Sequence, residues 1–205
     1  MDEALRVKTG AGRGDILGLE MGNWDQALLF WINGHHNPGL DAVFLGAAML
    51  GEPWVWMSTL VIGAMLARGR MRRALLVLAV ALVAAELFIR LPIGYFAHRV
   101  RPYLALEGIR QLGIPWKTNS FPSGHAISAW LATVYLGGHC RHAIPWLALF
   151  AVLVCYSRPY VGMHYPTDVL AGAGIGVAAG FVALGVERKV WPMWKEEESS
   201  EEGRK

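Results

Sequence analysis

Residues 74–89 read ALLVLAVALVAAELFI, sixteen positions with a single ionisable side chain, Glu86, and no polar alternation. A run this apolar approaches the roughly 20 residues that cross a hydrocarbon core and does not suit the surface of a soluble domain. Directly before it stands Arg68-Gly69-Arg70-Met71-Arg72-Arg73, the strongest topological signal in the chain, because Lys and Arg gather on the cytoplasmic side of spans. Working outward, apolar stretches recur at 40–50, 53–67, 126–136, 143–156 and 169–186, several trimmed by Gly or Pro. With 54% hydrophobic and 17% charged residues among 205, the composition excludes an ordinary soluble domain. The pattern predicts an all-α, polytopic bundle with six transmembrane helices: 40–50, 53–67, 74–88, and three that begin near Ser123, Ala143 and Pro166. The amphipathic stretch 24–36 (WDQALLFWINGHH) is expected as an interfacial helix leading into the first.

Three parts follow: a cytoplasmic segment 1–23, a transmembrane domain 24–187, and a cytoplasmic tail 188–205 whose end, EEESSEEGRK, is expected to be disordered and solvated. Residues 1–20 lack the apolar core of a secretory signal, so the first span is expected to direct insertion. Two cysteines are too few for a disulfide framework and read as free thiols. If Arg68 to Arg73 are inside, alternation places the N-terminus, the 137–142 loop and the C-terminus there too, with 13 of the 19 Lys and Arg. That bias favours this orientation, and it explains the net charge of +3 without nucleic acid. Arg90, Arg99, Arg101, Arg110, Lys117 and Arg158 fall on or near the outer side, where anion binding would account for them. Trp54, Trp56 and Trp116 near the outer boundary, and Trp146, Trp191 and Trp194 near the inner one, read as interfacial belts.

Three clusters share the outer side: Arg99-Val100-Arg101-Pro102, Phe121-Pro122-Ser123-Gly124-His125, and the run from Ser157-Arg158 to Asp168 that contains His164. Ser123 and Gly124 open a helix, so their N–H groups and the positive end of its dipole suit an anion. Arg101 and Arg158 offer planar forks for phosphate oxygens. An imidazole titrates near 6.5 and can attack phosphorus when neutral or donate a proton when charged. Asp168 lies four residues after His164, one helical turn away, where its carboxylate can fix the ring's tautomer. His125 is then available to protonate the departing oxygen. Cations and backbone donors can stabilise such a transition state without a metal, and no cofactor is expected.

These residues resemble the type 2 phosphatidic acid phosphatase (PAP2) superfamily, whose motifs are Lys-x6-Arg-Pro, Pro-Ser-Gly-His and Ser-Arg-x5-His-x3-Asp. The second matches fully at Pro122 to His125 and the third at Ser157, Arg158, His164 and Asp168. The resemblance spans roughly residues 24–187. It implies His164 as nucleophile forming a phosphohistidine, Asp168 as its orienter, His125 as general acid, and Arg101, Ser123, Gly124 and Arg158 as phosphate ligands. It further implies a metal-independent lipid phosphatase of a bacterial inner membrane, its site facing the periplasm or cell exterior. Undecaprenyl diphosphate is the favoured substrate by family analogy; phosphatidylglycerol phosphate, phosphatidate and lipid A are alternatives, as is phosphoryl transfer to a lipid hydroxyl. No nucleic acid and no obligate protein partner are inferred beyond the lipid and the bilayer.

The first motif departs from the pattern. Arg101-Pro102 is present, but the Lys position is Gly94. If the third span continues as helix past Pro92, Arg90 and His98 flank Gly94 on one face, and Arg90 is expected to replace the missing ammonium. Glu86, costly in an apolar span, has Arg90 one turn on as its partner. His35, His36, His139 and His142 read as solvated or interfacial, and a gap near Phe121, Trp130 and Tyr160 is a candidate opening for a lipid chain.

Overall fold

The computed structural model describes residues 22–116 and 118–202. Its described residues form helices and loops, and prolines mark where the helices begin. Pro38 and Pro53 open α2 (Pro38–Leu50) and α3 (Pro53–Leu66), behind α1 (Gly22–Gly34). At these positions proline loses no intrahelical hydrogen bond; Asn37 adds a cap by accepting from the Leu40 N–H at 2.9 Å. A positive-φ Gly69 starts α4 (Gly69–Ala85), which passes through a π-helical turn (Glu86–Arg90) into α5 (Leu91–Ala97). The third apolar run therefore continues as helix beyond Pro92. The wider π turn just before Pro92 makes room for a ring that would strike the preceding turn of a regular α-helix. Short α6 (Pro102–Ala105) follows, then α7 (Gly124–His139), α8 (Ile144–Tyr160) and α9 (Pro166–Glu202).

The expected first and second spans prove to be halves of one. α2 and α3 meet at a 59° bend, yet both descend along α8. Phe44 stacks on Tyr160 and Tyr156 with centroids 4.6 and 4.8 Å apart, a Cβ on Gly51 would meet Val154, and Trp56 meets Phe150 at 6.1 Å. Rising numbers on one partner against falling numbers on the other make the pair a single broken span. The break falls at Gly51–Glu52, where proline removes an N–H and stops α2 from running on.

Three helical stretches, Gly69–Ala105, Arg141–Tyr160 and Pro166–Val190, are long and apolar enough to cross a membrane, and the bent pair makes a fourth. α7, with 16 residues, runs between the same two ends. α1 does not cross. Asp25 near its start bonds Thr167, and Asn33 near its end bonds the Tyr160 carbonyl, so both ends lie against the same end of the bundle, the one that carries the three motifs. Residue 24 and Arg68 therefore sit at opposite ends of the molecule, where six-span alternation had put them together. Residues 1–21 lie outside the described residues.

Large apolar side chains face outward: Phe88 and Phe96 are 77% and 78% exposed, Met65 and Leu66 79%. Exposure on that scale is tolerable only against hydrocarbon, and the chain is a membrane protein. The interior is a cluster of Leu78 and Leu82 from α4, Leu131 and Tyr135 from α7, and Leu184 from α9, closed by Leu60 of α3. α9 continues to Glu202, so helix extends through 188–202 where a disordered tail was expected. Its Lys, Arg and Glu are all good helix formers.

Candidate active site

Glycines bring the third and second motifs together. Gly172, Gly176 and Gly180 recur every four residues on the face of α9 that meets α7. A Cβ at Gly172 would stand 2.5 Å from the Ser123 carbonyl oxygen, one at Gly180 2.7 Å from the Val134 Cβ, and one at Gly176 would strike the Ile127 carbonyl. Helices in lipid approach this closely only over small residues. The two helices run parallel, so both begin at the same end of the bundle, and the Ser123 N–H donates to the Asp168 carbonyl at 3.0 Å. That N–H, expected for phosphate, is thereby used inside the protein. The Ser123 hydroxyl oxygen is buried without a hydrogen-bond partner among the described residues.

His164 lies in the turn between α8 and α9. Gly162 in that turn has φ +76°, and a Cβ there would stand 2.6 Å from the Arg110 carbonyl oxygen, so only glycine fits. Arg101 donates from Nη1 to His164 Nε2 at 3.1 Å. Arginine can only donate, so Nε2 carries the lone pair and Nδ1 the proton. Nδ1 faces Asp168 Oδ2 at 3.6 Å, slightly more than hydrogen-bond length. Burial is the largest influence on His164 and pushes it down to about 3; Asp168 pulls upward, while the Arg101 and Arg158 charges reinforce the lowering. The ring is neutral at pH 7, the form a nucleophile needs.

His125 and His164 line one cavity of about 270 Å³, together with Gly124, Arg90, Arg101 and Arg158. All three motifs and the Arg90 position thus converge. Arg158 is 2% exposed and its Nε has no partner among the described residues. Buried donors left unpaired around one cavity are costly unless a ligand satisfies them. The lining is otherwise largely apolar: Trp56 and Met57 of α3, Leu82 and Val83 of α4, and Leu87 of the π turn. Trp56 and Trp116 line this cavity and do not form a belt, whereas Trp54 and Trp146 are 60% and 74% exposed. The lipid-chain opening expected near Phe121, Trp130 and Tyr160 does not touch the cavity; Tyr160 is fully buried, with its hydroxyl donating to Asp41 at 2.6 Å.

Arg90 is held over the N-terminus of α7. Its Nε donates to Glu86 Oε2 at 2.5 Å, its Nη2 bonds Glu86 Oε1, and its Cδ lies where a Cβ on Gly124 would be. The π turn that carries both residues sets this direction. At Gly94, by contrast, a Cβ would stand 3.1 Å from the Phe121 carbonyl oxygen, and Asn119 donates to the Gly94 carbonyl at 2.6 Å. A side chain at 94 requires the Phe121 carbonyl to give by a few tenths of an ångström. His98 is exposed, at the left-handed cap of α5, and takes no part.

Several residues at this end escaped sequence reasoning. Asp25, 1% exposed, accepts from Arg99 at 2.6 Å, from the Thr167 N–H at 2.9 Å and from the Thr167 hydroxyl at 2.6 Å. Arg99 also donates to Asp168 Oδ1 at 2.6 Å and lies 3.9 Å over the Tyr165 ring. Arg99 thus clamps the carboxylate behind His164 and does not line the cavity. Arg110 likewise serves a structural pair, with Asp41, so neither outer arginine is explained by anion binding. Lys117 lies outside the described residues. Glu52 lines the cavity with its carboxylate 3.4 Å from His125 Nε2. Asp25 and Glu52 were both readable as ionisable groups amid apolar runs, the signal that exposed Glu86. His139, expected to be solvated, pairs with Glu187 at 2.9 Å beside Tyr135.

The sequence profile of the PAP2 superfamily matches residues 74–192. The chain is 31% identical to a lipid A 4'-phosphatase of Bacteroides thetaiotaomicron over 81% of its own length and 78% of the relative's. It is 28% identical to an undecaprenyl-diphosphatase of Sulfolobus acidocaldarius, over 76% and 75%. Its fold superposes on the crystal structure of a transmembrane PAP2-type phosphatidylglycerolphosphate phosphatase from Bacillus subtilis with a TM-score of 0.72 at 26% identity, covering 85% of this chain and 90% of that one.

Proposed function

Since the chain belongs to the PAP2 superfamily, we propose that it hydrolyses a lipid phosphate or diphosphate through a phosphohistidine, with undecaprenyl diphosphate as the first candidate substrate. The observation that carries this reading is one cavity walled by two histidines and three arginines together with apolar helix faces. A phosphorylated headgroup enters with its chain along α3 and α4. Arg101 turns from His164 Nε2 to the phosphate, joined by Arg90, Arg158, the Gly124 N–H and the Ser123 hydroxyl. Nε2 attacks phosphorus in line while Asp168 steadies the Nδ1 proton, and His125 protonates the leaving oxygen. Water, deprotonated by His125, then releases phosphate. Each oxygen of the transition state meets a fixed cation or dipole, so no metal enters a step.

The orientation belongs to the same reading. Arg68 to Arg73, Arg141 and Arg188 sit at the end remote from the site, which supports five crossings of a bacterial inner membrane, α7 included, with the cavity facing the periplasm or cell exterior. Residues 24–187 form the catalytic domain. The relatives named for lipid A and undecaprenyl diphosphate support a membrane-lipid substrate. The test is phosphate release by detergent-solubilised protein from undecaprenyl diphosphate, phosphatidylglycerol phosphate, phosphatidate and lipid A, each with and without EDTA. Release unaffected by EDTA and abolished in His164→Ala is expected. No release from any of the four, or full release by the His164 variant, refutes the reading.

A further inference from the structure

The nucleophile has a carboxylate behind it; the second histidine has one too, and neither motif contains it. Glu52 is 8% exposed and its Oε1 lies 3.4 Å from His125 Nε2, an ion-pair distance, while neither that Nε2 nor the buried Oε2 has a hydrogen-bond partner among the described residues. The broken span delivers it. α2 stops at Leu50, Pro53 starts α3, and the two residues between them lie against the first turn of α7. Gly51 permits the approach, because a Cβ there would stand 2.9 Å from both the His125 ring and Val154. Placing a bare carboxylate inside an anion-binding cavity is unfavourable, since it repels the phosphate that the arginines attract. The other charged groups around the cavity are Arg90, Arg101 and Arg158, all cationic, and Glu86, with His164 beside them. Both Glu86 oxygens are taken by Arg90. Glu52 is the lining carboxylate that faces His125.

From this geometry we infer that Glu52 is the positioning residue of the general acid, holding His125 by Nε2 and stabilising its imidazolium during phosphoryl transfer. The inference rests on the phosphohistidine reading. With Nε2 held by Glu52, Nδ1 is the nitrogen left to serve the reacting oxygen. In the first step the His164 Nε2–P bond forms, the P–O bond to the lipid breaks, and the Nδ1 proton passes to the departing oxygen. In the second, His125 recovers a proton from water as the water oxygen bonds phosphorus and the P–N bond breaks. Both protons are accounted for, and Glu52 ends unchanged. Its charge favours the protonated ring over the neutral one.

A residue acting through the acid has a signature that a merely structural one lacks. Loss of acid assistance slows expulsion of a basic alkoxide far more than expulsion of a nitrophenolate, which leaves without a proton. Turnover of dioctanoyl phosphatidate and of p-nitrophenyl phosphate by Glu52→Gln, in detergent, reads the difference. The variant is expected to lose roughly 100-fold on phosphatidate and less than about 10-fold on the aryl ester, within the usual range for acid catalysis. Equal losses on both, or none, overturn the inference. In a His125→Ala background Glu52→Gln is expected to change phosphatidate turnover by less than about 2-fold, since the group it serves is gone; an additive further loss overturns it. Should the Gln variant fail to fold, Glu52→Asp keeps the charge one methylene back, and the same ordering of losses is required of it. If the wild type turns over neither ester nor the four lipids named above, the underlying reading fails; wild-type turnover with equal losses fails only this one.

Discussion

Arg90→Ala tests why this chain can lack the motif lysine. The Arg90 side chain is only 17% exposed and lines the cavity, bound to Glu86 on its far side and resting over Gly124. Partial burial keeps water from screening it, so its contact with a phosphate oxygen counts as a charge-assisted hydrogen bond, about 1.5–3 kcal/mol. At about 1.4 kcal/mol per tenfold, its removal lowers kcat/KM roughly 10- to 150-fold. Glu86→Gln leaves the guanidinium in place with a neutral anchor, and a smaller loss is expected. Gly94→Lys is the decisive companion. If Arg90 has taken over because position 94 is crowded by the Phe121 carbonyl, restoring the motif lysine in the Arg90→Ala background does not rescue activity and lowers thermal stability in detergent. Steady-state phosphate release on the best lipid of the panel, beside a melting curve for each variant, is the assay. Arg90→Ala within about threefold of wild type, or rescue by Gly94→Lys, refutes the argument.

Two further outcomes concern His164, the proposed nucleophile. His164 stays neutral in the folded protein down to about 3, whereas in the unfolded chain it takes up a proton near 6.5. Stability from this group is therefore complete above 6.5 and is lost as pH falls toward 3, amounting to about 2 kcal/mol by pH 5. Between pH 7 and 5 the melting temperature of the wild type should fall more than that of His164→Gln, and parallel declines contradict the assignment. Asp25→Asn sets an amide donor against donors from Thr167 or Arg99, with an expected cost of about 2–4 kcal/mol. It also loosens Arg99 from Asp168, so kcat should drop while KM holds. A KM effect alone would dissociate Asp25 from the nucleophile.

The sequence made the chemistry more legible than the architecture, for a physical reason. His125, His164, Asp168 and Arg158 carry reactive groups at short, fixed spacings, so local order alone pointed to one anion site. Glu86 and Arg90 were pairable because a helical turn separates them, although the π turn that aims Arg90 leaves no mark in an apolar run. What escaped was set by long-range packing. Leu40 to Leu50 and Pro53 to Leu66 look like two short spans by composition, and only their joint descent along α8 makes them one. That single difference moves α1 to the end that carries the motifs, which is what lets Asp25, some 140 residues away in sequence, reach Thr167 and brace Asp168 through Arg99. It also brings Glu52 to His125. Both missed carboxylates thus depend on the misread span. Their burial follows from it as well: an ionised side chain among apolar neighbours is retained where a cation or a donor faces it, and for Asp25 those donors exist only once the chain has folded back on itself.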